Sequence, residues 1–153
     1  MTAPPMPNAQ ADPDSRRAAL AVQANPAERL DYRITLSRPV RVVGAGALSA
    51  TVDYVPDRVV LVPASLTRYL TGLEGLPWPG PEALGAAILD DINNEAVPRW
   101  LRVTVSTRSG PADSDEAVAL WHAVVLEDRQ PHWHPPAGSA IAAPAGPAPA
   151  PWG

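Results

Sequence analysis

The sequence predicts an α+β domain of order ββααββ, an antiparallel sheet with two helices on one face. Three observations carry that prediction. Residues 30–36 alternate strictly between apolar and polar, two helical patterns open on prolines at 63 and 81, and two further β-rich runs follow at 100–107 and 117–126. With 153 residues, of which 46% are hydrophobic, the chain can bury one core and is too short for two ordinary domains.

The first strand places Leu30, Tyr32, Ile34 and Leu36 on one face, and Pro39 is expected to stop it. The loose Gly44-Ala45-Gly46-Ala47 stretch leads into Leu48–Val55 and Arg58–Val62, rich in Val, Thr and Tyr, which read as one strand bent at Pro56-Asp57. Pro63 suits the first position of a helix, where its missing N–H costs nothing, and Leu66, Tyr69, Leu70 and Leu73 recur at helical spacing. Pro81 opens a longer helix through Leu84, Ile88 and Ile92, and Val97-Pro98 ends it. Trp100–Thr107 and Ala117–Leu126 then form two strands joined by the turn formers of 108–115.

Composition sets the boundaries. The 20 prolines cluster at both ends. Residues 1–26 read as a flexible arm with one short apolar segment, Arg16–Val22; residues 27–130 are the folded domain; and 131–153, nearly all Ala, Pro and Gly after Pro135, is expected to be disordered. No run has the length and apolarity of a membrane span or a signal peptide, so the expectation is a soluble, cytoplasmic protein.

The residue inventory excludes several chemistries. There are no cysteines, so disulfides, thiolate ligands and a cysteine nucleophile are ruled out. All 12 basic residues are arginine, which removes Schiff-base and lysine general-base chemistry. A net charge of −4 gives no reason to expect nucleic acid or an anionic membrane as a partner, and a small neutral or amphoteric ligand fits better.

Four short segments, in order and at nearly conserved spacing, resemble a known family. They are Asp53-Tyr54-Val55-Pro56-Asp57-Arg58, Ser65-Leu66 with Tyr69-Leu70, Ile88-Leu89-Asp90-Asp91-Ile92, and Pro98-Arg99-Trp100-Leu101-Arg102-Val103. Over residues 47–108 the set resembles the core of the QueF family, the nitrile reductases that convert 7-cyano-7-deazaguanine to its aminomethyl form. The resemblance implies a tunnelling fold, in which ββααββ subunits join their sheets into a barrel with helices outside and active sites at subunit interfaces. It also implies a homo-oligomer, which would cover the edges that an isolated unit leaves unpaired.

The departures exclude the family reaction. Counting back from Asp53, the catalytic cysteine and the proton-moving aspartate of the reductases fall near Pro39 and Gly46. The run Glu-Ser-Lys-Ser-Leu-Lys becomes Val62-Pro63-Ala64-Ser65-Leu66-Thr67, so the acid and both lysines of the nicotinamide-cofactor region are absent. No cofactor is expected. One family position survives in Pro81-Glu82, where the resemblance assigns the glutamate to hold a purine-like ring, although the histidine before it is lost. A carboxylate accepts two parallel hydrogen bonds from the N–H and amino groups of a guanine or pterin edge. An acid in the first turn of a helix also complements the helix dipole without any ligand, which is the commoner role.

Other candidates come from the residues themselves. His122, on the last strand, is a possible general base, though such a histidine more often only packs. Arg99, which has a family match, and Arg102 suit a phosphate or carboxylate, but a solvated arginine on a sheet is commoner. His132 and His134 form a His-x-His pair with no third ligand in sight, so no metal is expected. Gly44–Ala47 lacks the spacing of a dinucleotide loop. Ser65 and Thr67 have no adjacent base, and Tyr69 and Trp100 read as core or interface. Asp90 and Asp91 point about 100° apart on a helix, so one of them should be solvated.

Two functions follow. The first is an enzyme of specialised metabolism that binds a purine, deazapurine, pterin or similar heterocycle through Glu82 and uses chemistry free of cysteine. The second is a non-catalytic oligomeric binding or scaffold homologue. The first requires Glu82 to face a pocket at a subunit boundary with other polar groups converging on it, and a solvent-facing Glu82 would sink it.

Overall fold

The structure is a computed structural model that describes residues 12–43, 46–107 and 121–142. In chain order its elements are α1 (Pro13–Arg17), β1 (Val22–Ala24), β2 (Ile34–Val42), β3 (Gly46–Val55), β4 (Val59–Leu61), α2 (Pro63–Leu73), α3 (Pro81–Ala96), β5 (Trp100–Thr107) and β6 (Ala123–Arg129). A four-stranded antiparallel sheet has the order β2-β3-β5-β6, and β1 pairs with β4 in a separate two-stranded ribbon. Without that ribbon and the five-residue α1 the order is ββααββ, the α+β arrangement expected from the alternation of patterns.

Period-2 patterning sets the inner face of the sheet. Leu48, Ala50, Val52 and Tyr54 of β3 and Leu101, Val103 and Val105 of β5 are buried there. Both helices begin at their prolines. Leu66, Tyr69, Leu70 and Leu73 of α2 and Leu84, Ile88, Ile92 and Ala96 of α3 form the apolar stripes that complete the core. Gly85 allows α3 to lie close to the sheet, because a Cβ there would sit 2.6 Å from Leu126 Cδ1. Val97, at φ 42° in the left-handed region, ends α3 before Pro98.

Several expected boundaries differ. The first strand starts at Ile34, not Leu30, and Leu30 is exposed. Residues 27–30 turn instead, because Arg99 gathers their carbonyls: Nη2 donates to Glu28 O at 2.6 Å and Nη1 to Leu30 O at 3.0 Å. Pro39 does not stop the strand. It pairs opposite Ser49 on β2, an edge strand, where a residue without an N–H can face away from the ladder. Arg58–Val62 does not continue the strand of 48–55, since β4 leaves the sheet after Pro56-Asp57 and pairs with β1.

That pairing also ties the described part of the expected 1–26 arm, residues 12–26, to the domain. Leu20 is in the core, Val62 N donates to Ala21 O at 2.9 Å, and Ala21 N donates to the buried Ser65 Oγ at 2.9 Å. Residues 131–142 likewise lie against the domain, with Trp133 Nε1 donating to Asp31 Oδ1 at 3.1 Å. Gly44, Ala45, the turn at 108–115, the first residues of the last expected strand and the remaining ends of both tails lie outside the described residues.

Candidate active site

The N-terminus of α3 and the start of β6 meet at one end of the sheet. Thr107, the last residue of β5, pins the incoming strand from both sides. Its N–H donates to His122 O at 2.8 Å, and its Oγ1 accepts from His122 N at 3.0 Å. The imidazole is thereby held over the first turn of α3, and its Nε2 lies 2.8 Å from Glu82 Oε1. Gly80 leaves room for the carboxylate, since a Cβ there would come within 2.9 Å of Glu82 Oε2.

The two residues singled out separately in the sequence are therefore partners. The residue before Glu82 is Pro81, and the imidazole beside Glu82 arrives from the far strand. The Glu82 side chain is 63% exposed and that of His122 43%. A carboxylate has about four acceptor sites, and one is taken by His122. The side chain is otherwise largely open to solvent in the single chain. Cavities lie between α1 and α2, beside Arg99 and beside Trp100, and neither Glu82 nor His122 lines these.

Arg99 is engaged within the chain. Besides the carbonyls of Glu28 and Leu30, it pairs with Asp31 at 3.1 Å and Asp57 at 3.4 Å, so it shapes the 28–31 turn and stands apart from the Glu82–His122 pair. Arg102 pairs with Glu127 on the outer sheet face. His132 and His134 are both exposed, and among the described residues no group of three or more His, Asp or Glu side chains could hold a metal ion.

Sequence reasoning missed a buried ionic cluster on the other side of α3. Asp91 is fully buried and accepts from Tyr69 Oη and from Arg16, whose Nε lies at 2.9 Å and Nη2 at 3.2 Å. Asp90 beside it is exposed, as the helical spacing requires. The Arg16 guanidinium is raised above its usual pKa by its hydrogen bond to Asp91, and burial next to the Asp91 carboxylate pushes the Tyr69 hydroxyl well above the usual phenol range. The available signal was Arg16–Val22, the one apolar stretch in the N-terminal segment.

The element order and antiparallel pairing define an α+β domain of ββααββ type. Among solved structures, the archaeosine synthase QueF-Like in its apo form is similar to this chain at 17% identity and a TM-score of 0.48, covering 63% of this chain and 90% of that one. No family model matches the sequence, and no curated protein does. Among the described residues, no helix is long and apolar enough to cross a membrane.

Proposed function

We propose that this chain binds a small planar nitrogen heterocycle, of the purine, deazapurine or pterin class, through the Glu82 carboxylate, with His122 placed to move a proton. The single observation that carries the reading is the 2.8 Å contact between Glu82 Oε1 and His122 Nε2, which joins a hydrogen-bond acceptor to a titratable base. The free lone pairs of Glu82 accept the adjacent N–H and amino groups of the ring edge. His122 takes or returns a proton at the bound ring, as an isomerisation, hydration or ring closure needs. The resemblance over residues 47–108 supports the ligand class. Because the pair is open in one chain, the pocket is completed by a second copy in a homo-oligomer. Cysteine-dependent nitrile reduction is no part of this reading.

The exposure of Glu82 favours a second reading, in which the domain is a scaffold homologue and the pair only ties α3 to β6. Calorimetric titration with guanine, 7-cyano-7-deazaguanine and a pterin separates the two. The ligand reading expects binding by the wild type and its loss in Glu82→Gln. Binding by neither protein supports the scaffold.

A further inference from the structure

The sheet face turned away from the helices is mostly small and hydroxylated, with Ser37, Thr51 and Thr104 in register across three strands. One end of it is different. Arg33, Asp53, Arg102 and Glu127 gather there around Trp100, and the ring, although on the outer face, is only 2% exposed. Both guanidiniums lie over that ring, Arg102 at 4.9 Å and Arg33 at 5.8 Å from its centroid. Asp53 and Glu127 fix them in place, with Arg33 Nη2 3.0 Å from Asp53 Oδ1 and Arg102 Nε donating to Glu127 Oε1.

The chain's own C-terminal segment is seated on this cluster. Arg33 Nη1 donates to Ile141 O and Arg102 Nη2 to Ala142 O, each at 3.3 Å. The contact is read through main-chain carbonyls, which carry no side-chain identity. The segment 135–142 has no helix or strand, none of its residues is fully buried, and it joins no strand ladder. A cavity of about 480 Å3 stays open beside it, bordered by Trp100, Glu127, Asp128, Arg129, Pro135 and Ala142. The seat is thus built from paired side chains, while the hydrogen bonds described from it to its occupant go to two main-chain carbonyls.

We propose that the Arg33–Trp100–Arg102 stack is a binding seat for a Pro/Ala-rich peptide bent by a turn, in which Ser139 N donates to Pro136 O at 2.9 Å and Gly138 has φ 76°, filled in cis by residues 135–142 as a strap that can be exchanged. Guanidiniums held by carboxylates present fixed donors to two successive carbonyls, and Pro135 and Ala142 border the cavity beside Trp100. The occupant is this chain's own segment. Its release uncovers an aromatic and cationic patch on a face otherwise lined by small side chains.

The test uses the full-length chain and a full-length variant in which residues 136–142 are replaced by a Gly–Ser stretch of equal length. A fluorescent peptide with the sequence of residues 134–142 is titrated against both, with folding checked by thermal unfolding. The proposal expects at least about tenfold tighter binding to the Gly–Ser chain, because the wild-type seat competes with its own tethered strap. Adding Arg33→Gln in that background is expected to weaken peptide binding by about tenfold as a charge-assisted donor is lost. Equal binding to both chains, no binding to either, or binding insensitive to Arg33→Gln overturns it. So does a Gly–Ser chain that fails to fold, since the segment is then integral to the fold, and so does a wild type whose strap proves to be seated on a second copy.

Discussion

Two of the acids on helix α3, Asp91 and Glu82, have opposite surroundings. Asp91, in its third turn, is fully buried and closed off by Arg16 and Tyr69, whereas Glu82, in its first turn, is 63% exposed with one histidine beside it. A buried carboxylate whose lone pairs are filled by internal donors holds the chain together and has little left to offer a ligand. An exposed carboxylate with one partner contributes little stability and keeps acceptor capacity. On the proposed reading the same helix separates anchoring from recognition along its length, and each half of that division can be tested.

The largest effect is expected at Asp91. Asp91→Ala leaves the Arg16 guanidinium and Tyr69 hydroxyl without their acceptor, and breaking a buried pair in this way costs about 3–5 kcal/mol. Urea unfolding measures it, and a loss below 1 kcal/mol would place the N-terminal segment outside the cooperative unit. Arg16→Ala should approach that cost, because it leaves the Asp91 carboxylate buried beside a hydroxyl alone.

Alkaline pH probes the same cluster. The Tyr69 and Tyr54 hydroxyls both have their pKa raised in the fold, chiefly by burial. The folded state therefore holds these protons more tightly than the unfolded chain, so their stabilising contribution is complete below the ordinary phenol value near pH 10 and declines as pH rises above it. The slope for each tyrosine is about 1.4 kcal/mol per pH unit in that window. Unfolding midpoints from pH 8 to 11 should stay level and then fall, and Tyr69→Phe should make the fall shallower. A profile that is flat to pH 11 would contradict the buried assignment.

At Glu82 the expected change in stability is the smallest, within about 0.5 kcal/mol for Glu82→Gln, because exposed pairs of this kind contribute little. Its effect belongs in binding. A variant that unfolds several degrees earlier would mean that Glu82 is an anchor like Asp91, and the contrast along α3 would fail. Light scattering sharpens the same contrast: the open pair calls for a second copy to complete it, so a mass well above the 16.1 kDa of one chain is expected at micromolar concentration.

Local chemistry made much of the fold legible. Pro63 and Pro81 mark both helix starts, and the alternation of Trp100–Thr107 defines a strand whose ends match. Long-range pairing made the rest invisible. Nothing near Leu30 says that a guanidinium at Arg99 will draw the carbonyls of Glu28 and Leu30 into a turn, and nothing near Pro39 says that β2 lies at an edge. The N-terminal segment looked too polar to order, yet Leu20, Ser65 and the Arg16–Asp91 pair fix it to the helices. The strap was hidden for the same reason, since its contacts are carbonyls that any sequence possesses. The candidate site was half legible: Glu82 and His122 each stood out by type and position, but their contact depends on how β6 returns past α3.

The most direct measurement follows the ring signals of the three histidines by NMR while guanine or a pterin is added. The account predicts that the His122 resonances move in the wild type while those of His132 and His134 stay, and that Glu82→Gln abolishes the movement. Signals that stay fixed in the wild type, or that move equally in Glu82→Gln, would contradict the claim that Glu82 and His122 form a heterocycle-binding site.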